Sequence, residues 1–468
     1  MPGLLLALHS TARLFAIVGG LLLVLLAASL ATGSLSRELY RDRAREAVTS
    51  GVLAQKAFMP LGAGSEPYRY QYNDCLILTM LVLPPEAGLR GSVSPRAPRD
   101  YARSFTSGSV PRHWMCENLV RALRGPDIPA DPYHRYIHGD WVLAGLLLAV
   151  MPFSTASLLL LSGVAALALG VLLAALTGLR RDRESAARSA AFAAMAGAFL
   201  LVSGVWHFGW SFSFAPSDMV LLGLLLFAYR HPFASLDAAR LFQWMGLFGA
   251  LTAAFEFLVG AAPTGVALIL ACIACQRGLA RRGAASQALT AVGGFAAGFV
   301  LAFAGKLVLV GLLWGWPEVT AAGSQLTNKV AGTAPGIADK ILAMGPFPRW
   351  LAEGRLGGMF FSGYKMAVYS GWMMFGSRTL GVLVAGACPA LLVLSCAVVS
   401  VRSKSEDSRC RALLLMAAAA VLAVWYVLFV NHTIQHPNVM VRPLAWLTIF
   451  ACGLGAWAAV ERRRGVRA

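Results

Sequence analysis

The chain has 468 residues, of which 58% are hydrophobic and only 13% are charged, and its mean hydropathy is +0.65. Soluble domains carry about 25% charged residues, so this composition excludes a soluble enzyme, a disordered chain and a fibrous protein. The formal net charge is +18, but the basic residues are spread over short loops rather than gathered in one domain, which argues against a nucleic-acid partner.

Apolar runs of about 20 residues recur along the chain, and each is long enough to cross a bilayer as a helix. The first run, 13–34, is interpreted as a signal anchor rather than a cleaved signal peptide. We predict an all-α polytopic membrane protein of about ten transmembrane helices, forming a single bundle over residues 1–460. The predicted spans are 13–34, 154–178, 189–207, 217–229, 241–258, 263–277, 287–314, 379–401, 412–430 and 443–460.

The basic residues predict the orientation of this bundle. Segments that follow the even-numbered spans are rich in arginine, and the last of them is a basic tail over 461–468. The short loops on the opposite side, 208–216, 259–262 and 431–442, contain one basic residue, Arg442. Because Lys and Arg accumulate in cytoplasmic loops, both termini are expected in the cytoplasm, and the expected location is the bacterial inner membrane.

Two long segments then lie outside the cytoplasm, over residues 35–153 and 315–378. Loops of this length are usually functional or form small domains. The stretch SRELYRDRAREAVTSGVL in the first loop predicts an amphipathic helix at the membrane surface, and residues 141–152 predict a second interfacial helix that ends near Pro152.

Cysteine positions suggest one cross-link. Cys75 and Cys116 are the only cysteines of the first external loop, and an oxidising compartment favours a bridge between them. Spacing alone does not establish the geometry, so this pair stays a disulfide candidate. Cys272 and Cys275 form a CxxC inside a predicted span, where small buried hydrophobic side chains are expected.

Polar residues with possible chemistry concentrate on the external side. Asp74 begins an apolar helix after the aromatic stretch YRYQYN, where a helix N-terminus stabilises negative charge. The alternative interpretation of Asp74 is an N-cap. Arg135 and His138 lie in DPYHRYIHGD, and His207 lies in the aromatic stretch VWHFGWSFSF.

Two ionisable residues, Glu256 and Lys306, occur inside predicted spans, where a charge indicates a functional role. His432 and His436 are spaced i, i+4 and could place two metal ligands on one helical face. No HExxH accompanies them and Pro437 follows at once, so a divalent metal stays an open alternative that is not favoured, and no cofactor is expected.

This combination suits a lipid-linked phosphate substrate. Arg and Lys bind phosphate, aromatic rings stack on sugar faces, and one carboxylate can accept the proton of an acceptor hydroxyl. No Walker loop, GxGxxG or GxSxG motif is present, so nucleotide binding and a hydrolase triad have no support.

Four ordered stretches carry a family resemblance: YNDCLILTM, YHRYIHGD, the segment around Lys306, and NHTIQHPNVMVR. They resemble motifs of an uncharacterised bacterial family of GT-C-like membrane proteins. The GT-C superfamily consists of membrane glycosyltransferases that use polyprenyl-phosphate-linked sugars and act on the outer face. Ile137 stands where the family has Trp, and Glu256 stands where it tends to have Asp.

The resemblance implies an inverting transfer from a polyprenyl-phosphate sugar to a cell-envelope glycan or glycolipid. It implies Asp74 as the general base. We expect the substrate-binding residues to be Arg135, His138, His207, Glu256, Lys306, His432, His436 and Arg442. Apart from the donor and the acceptor, membrane lipids are the expected partners.

Two other classes stay open. A transporter or flippase of lipid-linked glycans or anionic solutes would use Lys306 and Glu256 along its pathway. Internal repeats, common in transporters, are not found, and the long first loop does not fit a minimal carrier. A membrane acyltransferase would need access to an acyl donor, which is commonly cytoplasmic, whereas the polar residues here face outward.

Overall fold

The computed structural model describes residues 2–53, 71–86, 88–99, 115–125, 128–181, 185–256, 260–279, 283–331, 379, 382–429 and 437–465. These residues are mostly helical and include one antiparallel pair of three-residue strands, β1 (Arg96–Pro98) and β2 (Ala130–Pro132). The helices up to the middle of the chain are α1 Pro2–Ser34, α2 Arg37–Thr49, α3 Tyr72–Val82, α4 Leu89–Val93, α5 Met115–Arg124, α6 Gly139–Val150, α7 Phe153–Arg181, α8 Ala186–Val202 and α9 Val205–Phe208. Those that follow are α10 Ala215–Arg230, α11 Ala238–Ala254, α12 Ala261–Ala274, α13 Ala284–Trp314, α14 Trp316–Ala331, α15 Cys388–Arg402, α16 Glu406–Leu428 and α17 Pro437–Gly465.

The expected all-α membrane protein is confirmed at this level. Five helices are long and apolar enough to cross a membrane: Ser10–Ser34, Phe153–Arg180, Ala284–Trp314, Glu406–Leu428 and Met440–Arg463. The other five predicted spans also contain helices, but these have 14–17 residues and are shorter than a typical crossing.

Several of the predicted spans extend beyond the end of the helix that they contain. The span predicted over 189–207 ends at Val202, because Gly204 takes a left-handed backbone conformation that stops the helix. The span predicted over 241–258 ends at Ala254. The prediction placed Glu256 inside this span. In the structure the Glu256 carboxylate instead accepts hydrogen bonds from backbone N–H groups at the start of α12.

Contacts between helix ends define two ends of the bundle. At one end, the Arg411 guanidinium at the start of α16 donates to the carbonyl oxygens of Ala274 and Gln276, where α12 finishes. At the same end, Arg188 near the start of α8 donates to the Ala228 carbonyl at the finish of α10. We call this the Arg411 end.

The opposite end carries most elements of the first loop, and we call it the Asp74 end. Here the Ser29 hydroxyl of α1 donates to the Ser92 carbonyl in α4 at 2.5 Å. The Phe153 ring at the start of α7 packs on Phe212 at a centroid distance of 5.5 Å. Gly260, just before α12, lies against Pro443 near the start of α17.

The first loop is anchored to the bundle by buried contacts. The buried Tyr40 hydroxyl of α2 lies 3.3 Å from the carbonyl oxygens of both Thr32 and Gly145. A disulfide joins Cys75 in α3 to Cys116 in α5, so the bridge that spacing left open is present in the structure. These contacts hold α3, and Asp74 with it, against the bundle.

Helices α11 and α13 approach closely through glycines. A Cβ atom at Gly298 would overlap the carbonyl oxygen of Gly246, whereas a Cβ at Gly293 on the same helix would meet nothing within 4 Å. Small residues at such positions let two helix backbones pack in contact.

This difference predicts opposite effects of one substitution at two sites of α13. Gly298→Ala should lower the free energy of unfolding by about 1–3 kcal/mol, because the added methyl group overpacks the α11 interface. Gly293→Ala is the matched control, and it should leave stability unchanged or raise it by up to about 1 kcal/mol through helix propensity. Thermal unfolding in detergent measures both, and equal midpoints for the two variants would contradict the packing of α11 on α13.

Candidate functional site

Asp74 is buried in the first turn of α3, with 4% of its surface exposed. Its Oδ1 accepts a hydrogen bond from the Ser211 hydroxyl at 2.8 Å and another from the Phe212 backbone N–H at 2.9 Å. Gln71 occupies the N-cap position of α3, so the interpretation of Asp74 as an N-cap is wrong. Its carboxylate instead fastens α3 to the segment between α9 and α10.

The neighbouring residue strengthens the same junction. The Asn73 amide donates to the Ser213 hydroxyl at 3.3 Å, and the hydroxyls of Ser211 and Ser213 are 3.0 Å apart. All of these groups are buried. The orientation of the Asp74 carboxylate is therefore set by a connected polar network rather than by one contact.

A second carboxylate, Asp140, lies close to this network in the first turn of α6 and is 1% exposed. Neither of its oxygens has a hydrogen-bond partner of normal geometry among the described residues. Burial raises the pKa of Asp140 from 3.8 to about 8; the nearby Asp74 charge adds to the effect, and the backbone N–H groups of Trp141 and Asp140 offset part of it. At neutral pH Asp140 is therefore mostly protonated, and it can donate a hydrogen bond.

His138 precedes α6 in a left-handed conformation, with φ of 64°, and its side chain is fully buried. Its Nε2 lies 2.6 Å from the Tyr133 carbonyl oxygen, so this nitrogen carries the hydrogen. Burial, reinforced by the charge of Lys306, lowers the pKa of His138 well below its usual value. The imidazole is therefore neutral, and its Nδ1, which has no partner among the described residues, is an acceptor.

Lys306 reaches the first loop from within α13. Its ammonium donates to the Val93 carbonyl and, at 3.0 Å, to the Ser94 hydroxyl, and only 4% of the residue is exposed. Ser94 in turn lies 2.8 Å from Nδ1 of His134. The lysine therefore ties the long helix to the strand region of the loop instead of extending to the bilayer surface.

His134 extends this chain to α14. Its Nε2 is 3.8 Å from a carboxylate oxygen of Glu318, and its ring meets the Trp314 ring edge-on at 4.7 Å. Burial, followed by the Lys306 charge, lowers the pKa of His134 to about 4. At neutral pH the histidine is uncharged, so its contact with Glu318 is not an ion pair.

Arg442 and Asp218 form a buried ion pair between α17 and α10, and both side chains are less than 9% exposed. The guanidinium also lies over the rings of Phe208 and Phe214, at 5.2 and 4.7 Å from their centroids. The charge of Arg442 is compensated by Asp218, and both residues line a small groove beside Gly260 and Pro443, so the expected role of Arg442 in binding a lipid phosphate stays a prediction.

Glu256 also has a structural partner. Its two carboxylate oxygens accept hydrogen bonds from the backbone N–H groups of Gly260 and Ala262, at 3.2 and 3.1 Å. A carboxylate in this position satisfies N–H groups that a helix start leaves without partners, and it favours the positive end of the helix dipole. Glu256 therefore caps α12 rather than extending into a ligand cavity.

The remaining predicted residues have varied surroundings. The half-buried Arg135 guanidinium lies 5.2 Å from the Tyr133 ring centroid, and His207 is half-buried on α9. His432 and His436 lie outside the described residues. Within the part of the chain that the structure describes, no group of three or more His, Cys, Asp or Glu side chains could hold a metal ion.

The structure brings Asp74, His138, Lys306 and Arg442 to the same end of the bundle. Phe212 bonds to Asp74, and Phe214, two residues on, stacks on Arg442. Sequence reasoning missed Asp140 as a site residue, although it resembles Asp74 as an acidic residue in the first turn of an apolar helix. Ser94 and Ser211 carried no such signal, because their partners are far away in the sequence.

Comparisons with known proteins found no matching family model, no matching curated protein and no matching solved structure. The function must therefore be inferred from the chemistry of this site.

Proposed function

We propose that this protein is a membrane glycosyltransferase that moves a sugar from a polyprenyl-phosphate donor to a glycan or glycolipid acceptor outside the cytoplasm. The observation that carries the proposal is the pair of buried carboxylates, Asp74 and Asp140, at one end of the bundle. One is held in orientation by hydrogen bonds, and the other is largely protonated at neutral pH. Two carboxyl groups in different environments are typical of acid–base sites.

In the proposed reaction, an acceptor hydroxyl oxygen attacks the anomeric carbon of the donor sugar. The bond from that carbon to the phosphate oxygen breaks, the phosphate keeps the electron pair, and the hydroxyl proton passes to Asp74. Protonated Asp140 donates a hydrogen bond within the site, and neutral His138 accepts one at Nδ1. Lys306 supports the loop that carries His134 and has no direct role in this scheme.

The proposed orientation places the Asp74 end outside and the Arg411 end in the cytoplasm. Arg188 and Arg411 lie at the Arg411 end, as the positive-inside rule requires of cytoplasmic arginines. In this arrangement the ten predicted spans cross the inner membrane and both termini are cytoplasmic. The Cys75–Cys116 bridge would then lie in the compartment where disulfides persist.

The test is the release of polyprenyl phosphate by the purified protein from a synthetic polyprenyl-phosphate sugar in the presence of a glycan acceptor. A transporter or flippase stays the second candidate, because Lys306 and the pair of Arg442 and Asp218 are charged groups buried within long or apolar helices. Movement of the labelled donor across a proteoliposome membrane without cleavage would favour that alternative and contradict the transferase.

The unusual protonation of Asp140 predicts how stability depends on pH. Native Asp140 keeps its proton up to about pH 8, whereas the unfolded chain loses it near 3.8. The native state therefore binds more protons within this window, and stability falls as the pH rises through it. Asp140→Asn should remove this contribution. The stability of the variant relative to wild type should therefore increase as the pH rises from 5.5 to 8.5.

Thermal unfolding midpoints of wild type and Asp140→Asn at these two pH values measure the effect. The comparison has to be a difference between the two proteins, because the lowered pKa of His134 changes the stability of both in the opposite direction as the pH rises from about 4 to 6.5. A difference between wild type and variant that is the same at both pH values would contradict a protonated Asp140.

A further inference from the structure

A groove lies at the Asp74 end, next to the buried carboxylates. It is enclosed by the last turn of α1, the first turn of α2, the last turn of α3 and the segment at Pro95, and it is partly open to solvent. Its walls are largely apolar, with Leu35, Met80, Leu83 and Pro85 among them. The groove adjoins the end of α1, one of the five helices able to cross a membrane.

Arg37 lines this groove and is exposed, and it forms no ion pair or hydrogen bond with the described residues. The other arginines of α2 all have acidic partners on the same helix: the pairs are Arg41 with Glu38, Arg43 with Glu46, and Arg45 with Asp42. Arg37 is thus the arginine of α2 whose charge is not compensated within the described part of the chain.

A second cation, Arg96, also lines the groove. The Arg96 guanidinium donates to the Ala130 carbonyl through Nε and Nη2 and to the Pro84 carbonyl through Nη1. These bonds fix the guanidinium without neutralising it, because backbone carbonyls carry no net charge. Two positive charges therefore face a groove with apolar walls.

Two further groups near the groove can donate hydrogen bonds. Helix α2 starts at Arg37, and Ser36 at its N-cap makes no side-chain hydrogen bond, so the first N–H groups of the helix are not capped by that side chain. The Trp141 indole, which also lines the groove, is 4% exposed, and its Nε1–H has no partner among the described residues. A buried donor without a partner costs free energy that a bound acceptor would recover.

We propose that this groove binds the phosphate group of a lipid, with the hydrocarbon chain along the apolar wall. Arg37, the start of α2 and the Trp141 indole supply charge and donors of the kind that bind phosphate at helix N-termini. The apolar wall and the position at the end of a membrane-spanning helix select a lipid phosphate over a free anion.

The groove adjoins the proposed catalytic site. Trp141 follows Asp140 directly, and Met80 lies about 9 Å beyond Asp74 along the axis of α3. The inference depends on the proposed function only for the identity of the lipid as a polyprenyl phosphate. Binding can be measured without turnover, so the two proposals can fail separately.

The test is equilibrium binding of a fluorescent polyprenyl phosphate to the purified full-length protein in nanodiscs. Arg37→Gln should weaken binding about tenfold, because it removes one charged contact to the phosphate. The matched control Arg45→Gln, on the same helix but paired with Asp42, should stay within about twofold of wild type. Trp141→Phe keeps the ring and removes the donor, and it should weaken binding by about threefold to tenfold.

Competition distinguishes the possible ligands. Unlabelled polyprenyl phosphate should displace the probe, whereas inorganic phosphate at the same concentration should not. Equal affinity of wild type and Arg37→Gln, or displacement by inorganic phosphate as effective as by the lipid, would overturn the groove assignment. Arg37-dependent binding of phosphatidic acid with no binding of polyprenyl phosphate would keep the groove and contradict the proposed transferase.

Discussion

Asp74→Asn is expected to lower the release of polyprenyl phosphate by about 10²–10⁴-fold, because it removes the proton acceptor of the proposed reaction. The amide oxygen of asparagine can still accept the hydrogen bonds that Ser211 and Phe212 donate to the carboxylate. The variant should therefore fold normally and bind lipid phosphate with unchanged affinity. The measurement is single-turnover product release, together with a thermal unfolding midpoint.

Asp42→Asn is the matched control. Asp42 lies in the same loop, carries the same charge and undergoes the same chemical change, but it is exposed and pairs only with Arg45 among the described residues. Its activity should equal that of wild type. Full activity of Asp74→Asn would show that the base assignment is wrong, whereas an inactive protein that has also lost its cooperative unfolding would indicate a structural role for the carboxylate.

Arg442→Met should lower the free energy of unfolding by about 3–5 kcal/mol. The substitution retains a long side chain between the Phe208 and Phe214 rings but leaves the Asp218 carboxylate buried without its counter-ion. Arg277→Met removes an exposed partner of Glu461 at the opposite end of the bundle, and it should cost at most about 1 kcal/mol. Thermal and denaturant unfolding in detergent measure both variants.

The double variant Arg442→Met/Asp218→Asn extends this experiment toward a double-mutant cycle of the ion pair. Because it removes both charges, it should recover most of the stability lost in Arg442→Met. Its activity also tests the predicted role of Arg442 in binding phosphate. If the arginine only neutralises Asp218, the folded double variant should transfer sugar. A stable but inactive double variant would indicate that Arg442 binds the phosphate.

Much of the helical architecture could be predicted from local sequence. The long apolar runs predicted the positions of α1, α7, α13, α16 and α17, since hydrocarbon length and backbone hydrogen bonding allow few alternatives. Helix ends were predicted less well. The end of α11 depends on whether Glu256 continues a span or caps the next helix, and both interpretations suit the same residues.

The candidate site, like the fold, could be predicted only in part from local sequence. The aromatic and polar stretch before α3 marked Asp74 as unusual, and the structure places it in a buried network. Arg442 was equally conspicuous, but its partner is Asp218, 224 positions away in the chain. Side-chain pairing over such a separation leaves no local pattern, so spacing could not tell a phosphate ligand from half of an ion pair.

Composition by itself determined that this protein is a helical membrane protein, because bilayer thickness and burial of the backbone act on each segment separately. Tertiary structure alone decided that Asp140 is buried with no hydrogen-bond partner of normal geometry among the described residues, that Lys306 bonds to Ser94, and that Arg37 lines an apolar groove. These properties depend on which segments meet. Burial and charge compensation arise from neighbours in space, and those neighbours come from distant parts of the chain.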